Sequence, residues 1–448
     1  VNYKRKKHLS LFLTALIMIA AILTQPFSTQ AAEALDIEAE SAILVDAETG
    51  KVLYAKKPDM ALPPASMTKM MTEYLVHEAI EKGKVNWDTT TQISDYPYSI
   101  SADPSFSGVG LTQSKDYTVR ELYDAMAINS DNATTIALAE LIAGSEGEFV
   151  KMMNKKAEEM GLSDYKFVNS TGLNNASLRE NVPKGTDPNA NNLLSARSAA
   201  LLAYNLINDY PSALDVSKVP SATFDGQTIR NWNWMLPHDP KNASSLQQFY
   251  YEGIDGLKTG HTDLAKYCFT GTANRNGKRL ISVVMKTESE PARFQQTAKL
   301  MDYGFQRFEK KEIFSKGYQL EDQSDIPVAK GKEDTVQIAT KKAFSAMVKE
   351  GQAENYSVKY HLNKNKLNKD GKLSAPVEKG EKIGTAEIVY EGDGDYGYIY
   401  PNADKQTIAL TAQRTVEKDN WFMLAIGSVG GFFSGLFSTV VDTVKGWF

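Results

Sequence analysis

Short apolar runs mark two strands near the start of the chain, Ser41 to Val45 and Lys51 to Tyr54, joined through Glu48-Thr49-Gly50 as a β-hairpin. The pattern then takes the period of a helix. From Ser66, the side chains of Met67, Met70, Met71, Tyr74 and Leu75 recur at helical spacing until Gly83. The capping box Thr118-Val119-Arg120-Glu121 opens a second helix, Ala133 to Gly144 a third, and Phe149 to Met160 a fourth that Gly161 stops. Strand patterns return at Tyr267 to Thr272 and Leu280 to Met285, followed by a helical stretch from Ala292 to Phe308. Strands at both ends with helices between them predict an α+β fold, in which one antiparallel sheet joins the two ends of the segment.

Beyond residue 310 the pattern shortens. Tyr356 to Leu362 alternates, Ala375 to Gly380 makes a turn, and Ile388-Val389-Tyr390 is strand-like again. These features predict a small all-β domain over 311–415 after a larger first domain over 32–310. The second domain holds no cluster of reactive side chains and reads as a spacer or binding module.

Both ends of the chain are apolar. Lys4, Arg5, Lys6 and Lys7 precede the run Leu9 to Leu23, and Thr29-Gln30-Ala31 offers small residues for cleavage, so 1–31 reads as a secretory signal peptide. Within 416–448, Phe422, Ile426, Val429, Phe433, Leu436, Val440, Val444 and Trp447 follow steps of three or four. That stripe predicts an amphipathic helix lying in a membrane interface. The charge-free stretch from Trp421 to Val441 also has the length of a span, Gly427, Gly431 and Gly435 suit helix pairing, and a buried core helix is a third reading.

Charge and composition narrow the classes. Losing 1–31 removes four basic residues and no acidic one, which takes the net charge from −5 to −9 and speaks against nucleic-acid binding. The single cysteine, Cys268, sits in a strand pattern and reads as a packed thiol. No metal site is expected: His77-Glu78-Ala79-Ile80-Glu81 stops one histidine short of H-E-x-x-H, and His77 reads as a helix-surface residue. No cofactor is implied.

Three strings in order carry the chemistry: Ser66-Met67-Thr68-Lys69, Ser130-Asp131-Asn132 and Lys258-Thr259-Gly260. The first is weak alone, since Ser163-Asp164-Tyr165-Lys166 repeats it inside a turn. Ser66, however, opens a helix, where residues three apart share a face and Lys69 reaches the serine hydroxyl. The N-terminal end of a helix also favours negative charge developing nearby. A free lysine titrates at about 10.4, and burial beside a second cation brings it to roughly 7 to 8, where it serves as a base. Lys258 supplies that cation. Ser130 is suited to relay a proton and the Asn132 amide to hold a substrate carbonyl. Lys258 and Thr259 suit a substrate carboxylate, and Gly260, on a probable edge strand, suits close approach of a ligand.

The three motifs, their order, the signal peptide, the β-rich domain and the C-terminal helix resemble the low-molecular-weight penicillin-binding proteins, serine-type D-alanyl-D-alanine carboxypeptidases. The resemblance covers essentially the whole mature chain. It implies a catalytic domain of the β-lactamase and penicillin-binding transpeptidase fold, in which Ser66 is acylated, Lys69 accepts its proton, Ser130 completes the relay and Lys258 binds substrate. It further implies an oxyanion hole from the backbone N–H groups of Ser66 and His261, and a carboxylate-binding role for Arg293. Substrate and ligands would be peptidoglycan stem peptides and β-lactam antibiotics, and the location the outer face of the cytoplasmic membrane. A class A β-lactamase deacylates through a glutamate; Glu158 and Glu159 lack the expected E-x-x-x-N context. A β-lactam sensor or wall-binding protein without turnover remains an alternative, and a lipase-type hydrolase lacks its G-x-S-x-G string.

Overall fold

The computed structural model describes residues 35–239, 241, 243–392, 394–400 and 406–419. The expected signal peptide, and the apolar stripe from Trp421 onward, lie outside the described residues.

The hairpin forms as expected, from β1 (Ser41–Asp46) and β2 (Val52–Lys56). Far along the chain come β3 (Ile254–Thr262), β4 (Lys266–Arg275) and β5 (Lys278–Thr287). The five strands make one antiparallel sheet in the order β2-β1-β5-β4-β3. Ser41 lies opposite Met285 and Asp46 opposite Leu280, so the two ends of the domain meet, and the K-T-G strand β3 is left at the edge. Both faces of β1 are buried, consistent with its unbroken run Ala-Ile-Leu-Val.

Helices pack around this sheet. α1 (Lys69–Glu81) follows a short 3-10 turn, Ala65–Thr68. α2 (Val119–Asn129) starts at the expected reciprocal cap: Thr118 Oγ1 accepts from Glu121 N while the Glu121 carboxylate accepts from Thr118 N. α3 (Asn132–Ala143), α4 (Glu146–Glu159) and α6 (Glu290–Arg307) match the periodic segments. α5 (Ala196–Asp209) was not foreseen. It is capped by Ser195, whose side chain accepts from Ser198 N, and buries Leu201, Leu202, Leu206 and Ile207 together with its alanines.

Helix α1 lies between two apolar clusters: Met70, Met71, Tyr74 and Leu75 join one and Val76 the other. Its all-round burial corrects the reading of His77. That ring is 6% exposed, stacked on Tyr210 and edge-on to Trp87 and Tyr123, with Nε2 2.9 Å from Tyr123 Oη. From Lys69 through His77 every residue of the helix is buried, so the histidine meets no solvent-facing side there.

The chain passes from Arg307 directly into a β-rich region. β6 (Phe308–Phe314) pairs with β9 (Phe344–Lys349). β7 (Asp325–Ala329), β8 (Thr335–Thr340), β10 (Tyr356–Leu362), β11 (Leu373–Ser374), β12 (Lys382–Tyr390) and β13 (Gln406–Ala412) form a six-stranded sheet in the order β10-β12-β13-β8-β7-β11. Val336, Ile338, Ile383, Leu410 and Val416 fill its core. Val416 bridges to Val377 and Lys418 to Gly331, so the chain remains in this region past residue 415.

Candidate active site

Ser66 sits in the 3-10 turn just ahead of α1, after Ala65 in the left-handed region at φ 47°. Two glycines let the surrounding walls close on this turn. A Cβ at Gly260 of β3 would collide with the Pro64 carbonyl oxygen, and one at Gly172 (φ 88°) with the Ala65 carbonyl. The close approach that Gly260 permits is therefore to the serine's own turn, rather than to a ligand as its strand position suggested.

Lys69 is fully buried, one helical turn from the serine. Its Nζ lies 3.0 Å from Ser66 Oγ, 2.8 Å from Asn132 Oδ1 and 2.9 Å from the Thr171 carbonyl. The last two atoms only accept, and the Asn132 amide is oriented by Nδ2 donating to the Ser107 carbonyl and hydroxyl. A neutral amine spends its two N–H bonds on those acceptors and points its lone pair at the Ser66 hydroxyl. Burial first, and the charge of Lys258 second, hold Lys69 well below the usual lysine range; Asp131, Glu73 and Glu146 pull the other way. The expected cause is thus present.

Lys258 on β3 is also buried and is lowered to about 8, by burial first, with Glu73 raising it and Arg293 lowering it further. A group near that value is mostly a cation at neutral pH.

Ser130 caps the end of α2 in the left-handed region (φ 61°), an uncommon conformation for a residue with a side chain. Asp131 then caps α3, accepting from Thr134 N at 2.5 Å and from Val109 N at 2.6 Å. Seven buried side-chain polar atoms among the described residues have no hydrogen-bond partner, and two of them, Ser130 Oγ and Arg293 Nε, belong to residues that line the cleft. An orphan of this kind costs about 1–3 kcal/mol, and both are explained if a bound molecule completes them.

Ser66, Ser130, Asn132, Thr259, His261 and Arg293 line one cleft of about 700 Å³, with Lys69 and Lys258 buried behind its wall. Arg293, at the start of α6, pairs with Glu290 at 2.6 Å and lies 3.4 Å from the Gly260 carbonyl. The His261 ring stacks on Tyr267 and its Nδ1 is 3.1 Å from the Lys266 carbonyl, which leaves the backbone as its contribution to the cleft. Cys268 is buried in β4 with its thiol pushed up to about 11 by burial, a packed side chain as expected. Ser163, in the decoy string, accepts from Ser198 Oγ through its carbonyl.

Sequence reasoning missed the loop that supplies Thr171. Asn169 Oδ1 accepts from Thr171 N, Thr171 Oγ1 and Gly172 N, and Asn192 Oδ1 accepts from Val168 N. The run Asn169-Ser170-Thr171-Gly172 is polar yet buried, and only that contradiction with its burial marks it as functional. Glu73 and Glu146, both buried, were also missed.

A serine paired with a buried lysine, at the mouth of a cleft with two cations beyond, defines an acyl-transfer site. Comparison with known proteins names it. Residues 28–289 match the D-alanyl-D-alanine carboxypeptidase profile, and 308–418 match the C-terminal domain of penicillin-binding protein 5. The chain belongs to the D-alanyl-D-alanine carboxypeptidase family. It is 34% identical over 372 residues to D-alanyl-D-alanine carboxypeptidase DacF of Bacillus subtilis (strain 168), covering 82% of this chain and 85% of that one. Among solved structures, the peptidoglycan synthesis regulatory factor PBP3 of Streptococcus pneumoniae is similar at a TM-score of 0.67 and 37% identity, covering 85% of this chain and 99% of the other. Penicillin-binding protein D2 of Listeria monocytogenes, in its cefotaxime-bound form, matches at a TM-score of 0.51 and 32% identity over 60% of this chain and 98% of its own.

Proposed function

We propose that this serine-type D-Ala-D-Ala carboxypeptidase removes the terminal D-alanine of peptidoglycan stem peptides through an acyl-enzyme on Ser66. The observation that carries the residue assignment is the Lys69 amine: two acceptors take its N–H bonds, and the Ser66 hydroxyl stands at 3.0 Å on the remaining side. Ser66 Oγ attacks the carbonyl of the penultimate D-alanine as its proton passes to Lys69. The developing oxyanion is held by the backbone N–H groups of Ser66 and His261. Ser130 passes a proton to the leaving amine, and Lys258, Thr259 and Arg293 hold the terminal carboxylate. Water then hydrolyses the ester. Asn132 serves first to orient Lys69, and its amide edge borders the bound peptide. A β-lactam, with the same acyl-dipeptide geometry, acylates the same serine.

Deacylation by a β-lactamase-type glutamate is disfavoured. Glu158 and Glu159 are exposed on α4, with Glu159 ion-paired to Lys156, and Glu146 is bonded to Ser170 and Tyr96. The reading extends to placement: export through 1–31, catalysis in 32–310, a β-rich spacer over 311–415, and attachment to the outer membrane face through the amphipathic stripe of 416–448. Deleting 421–448 is expected to release the protein from membranes, and retention would refute the anchor.

The purified protein is expected to release D-alanine from a peptide ending in D-Ala-D-Ala and to be labelled by fluorescent penicillin. Ser66→Ala loses both by at least about 10³-fold. Persistence of either activity in that variant removes Ser66 from its role.

A further inference from the structure

Helix α1 carries two more buried ionisable side chains in line with Lys69, at successive steps of four: Glu73 and His77. Glu73 is 1% exposed, and Tyr123 of α2 donates its hydroxyl to Glu73 Oε2 at 3.3 Å. That hydroxyl has one proton, so toward His77 Nε2, 2.9 Å away, it accepts. With that proton on the Glu73 side, His77 is a neutral ring protonated on Nε2, packed against Tyr210 and Trp87, and His77, Tyr123 and Glu73 form a contiguous buried chain.

Burial pushes the Glu73 carboxyl up to about 7, while Lys258 from β3, Tyr123 from α2 and Lys69 from its own helix face it and each favour the charged form. Arg293 of α6 bears on Lys258, while Asp131 and Glu146 bear on Lys69. The other two carboxylates have structural tasks. Asp131 holds the N–H groups of Thr134 and Val109, and Glu146 holds Ser170 and Tyr96. Glu73 caps no helix and closes no loop. A buried carboxylate is costly unless a charge partner offsets it, and the cations facing it are the two active-site lysines.

Resting on the acyl-enzyme reading above, we propose that Glu73 is a positioning residue that keeps the lysine pair in opposite charge states, holding Lys258 cationic beside a neutral Lys69, with the Tyr123 hydroxyl favouring its ionised form. The asymmetry has a physical source. Lys258 is the leading charge acting on Glu73, and Glu73 is the leading charge that favours protonated Lys258; on Lys69 the cation of Lys258 and the charge of Asp131 both outrank it. Removing the negative charge therefore takes the proton off Lys258 at lower pH, and the carboxylate anchor is lost on the alkaline side.

The test is the pH dependence of the second-order rate of labelling by fluorescent penicillin, together with kcat/KM for D-alanine release, in wild type, Glu73→Gln, Glu73→Asp and Tyr123→Phe. In Glu73→Gln the alkaline limb is expected to move down by about one pH unit. Tyr123→Phe, which removes the bond favouring the carboxylate, moves it the same way by less, and Glu73→Asp keeps it near the wild-type position. A merely structural role would lower rates at every pH without moving the limb. An unmoved limb in folded Glu73→Gln overturns the proposal, and if that variant does not fold, an unmoved limb in Tyr123→Phe does so. Either result, with wild type still labelled at Ser66, leaves the carboxypeptidase reading intact; a wild type that neither labels nor releases D-alanine overturns both.

Discussion

The interiors of the two domains are built on different terms. In the catalytic domain Lys69, Glu73, His77, Asp131, Glu146, Lys258 and Arg293 are all buried, threaded between apolar clusters. In the β-rich domain the buried polar residues among those described are Ser324, Thr340 and Thr411, all uncharged, around a core of Val, Ile and Leu. Taking a charge out of water costs several kcal/mol unless partners offset it. A fold accepts that cost where chemistry requires shifted charge states. The lesson is that burial of charge, more than any single motif, separates the catalytic domain from the β-rich one.

The sharpest test of this contrast is Lys69→Met, which replaces a buried amine by an apolar chain of similar length. Penicillin labelling is expected to fall about 10²–10⁴-fold, the contribution of a positioned base. A labelling rate within a few-fold of wild type would break the contrast on the catalytic side.

Its counterpart is Ile338→Ala in the β-rich core, where the side chain is fully buried. The expected cost is about 2–5 kcal/mol in the unfolding of that domain, measured by denaturant titration, with the labelling rate unchanged. A parallel loss of labelling would show that the second domain takes part in the chemistry.

A smaller effect comes from His77, whose ring burial first, and Arg120's charge second, push down to about 4. Its unfolded value is about 6.5, so as pH falls from there the unfolded state takes up the proton first and the folded state loses stability. The slope is about 1.4 kcal/mol per pH unit, and the loss ends once pH passes the folded value near 4. Above about pH 6.5 this group has no effect on stability. His77→Gln, which retains an amide donor for Tyr123, is expected to remove that part of the acid sensitivity; equal acid sensitivity in both proteins would place the titration elsewhere.

Much of the architecture was legible because it is local. The reciprocal cap at Thr118 and Glu121, the alternation in Tyr356 to Leu362 and the helical period through Met70, Met71 and Tyr74 involve neighbours a few residues apart. The three motifs were legible because each string holds several functional atoms at once. Less legible was the Asn169 to Gly172 loop, whose polar composition resembles that of an exposed turn; α5 was overlooked although its apolar side chains recur at helical spacing.

By itself, then, the sequence determined the local elements, their caps and the three motif strings that hold Ser66, Lys69, Ser130 and Lys258, since propensity and reactivity are properties of residues and short spacings. Only the tertiary structure decided which of them meet. Lys69 finds Asn132 and Thr171 across 63 and 102 residues of chain, Gly260 closes against the Pro64 carbonyl, and α1 ends up buried from Lys69 through His77, so that His77 and Glu73 lie inside. Those contacts depend on how helices and sheet pack, and it is packing, by excluding water, that changes the charge a lysine carries.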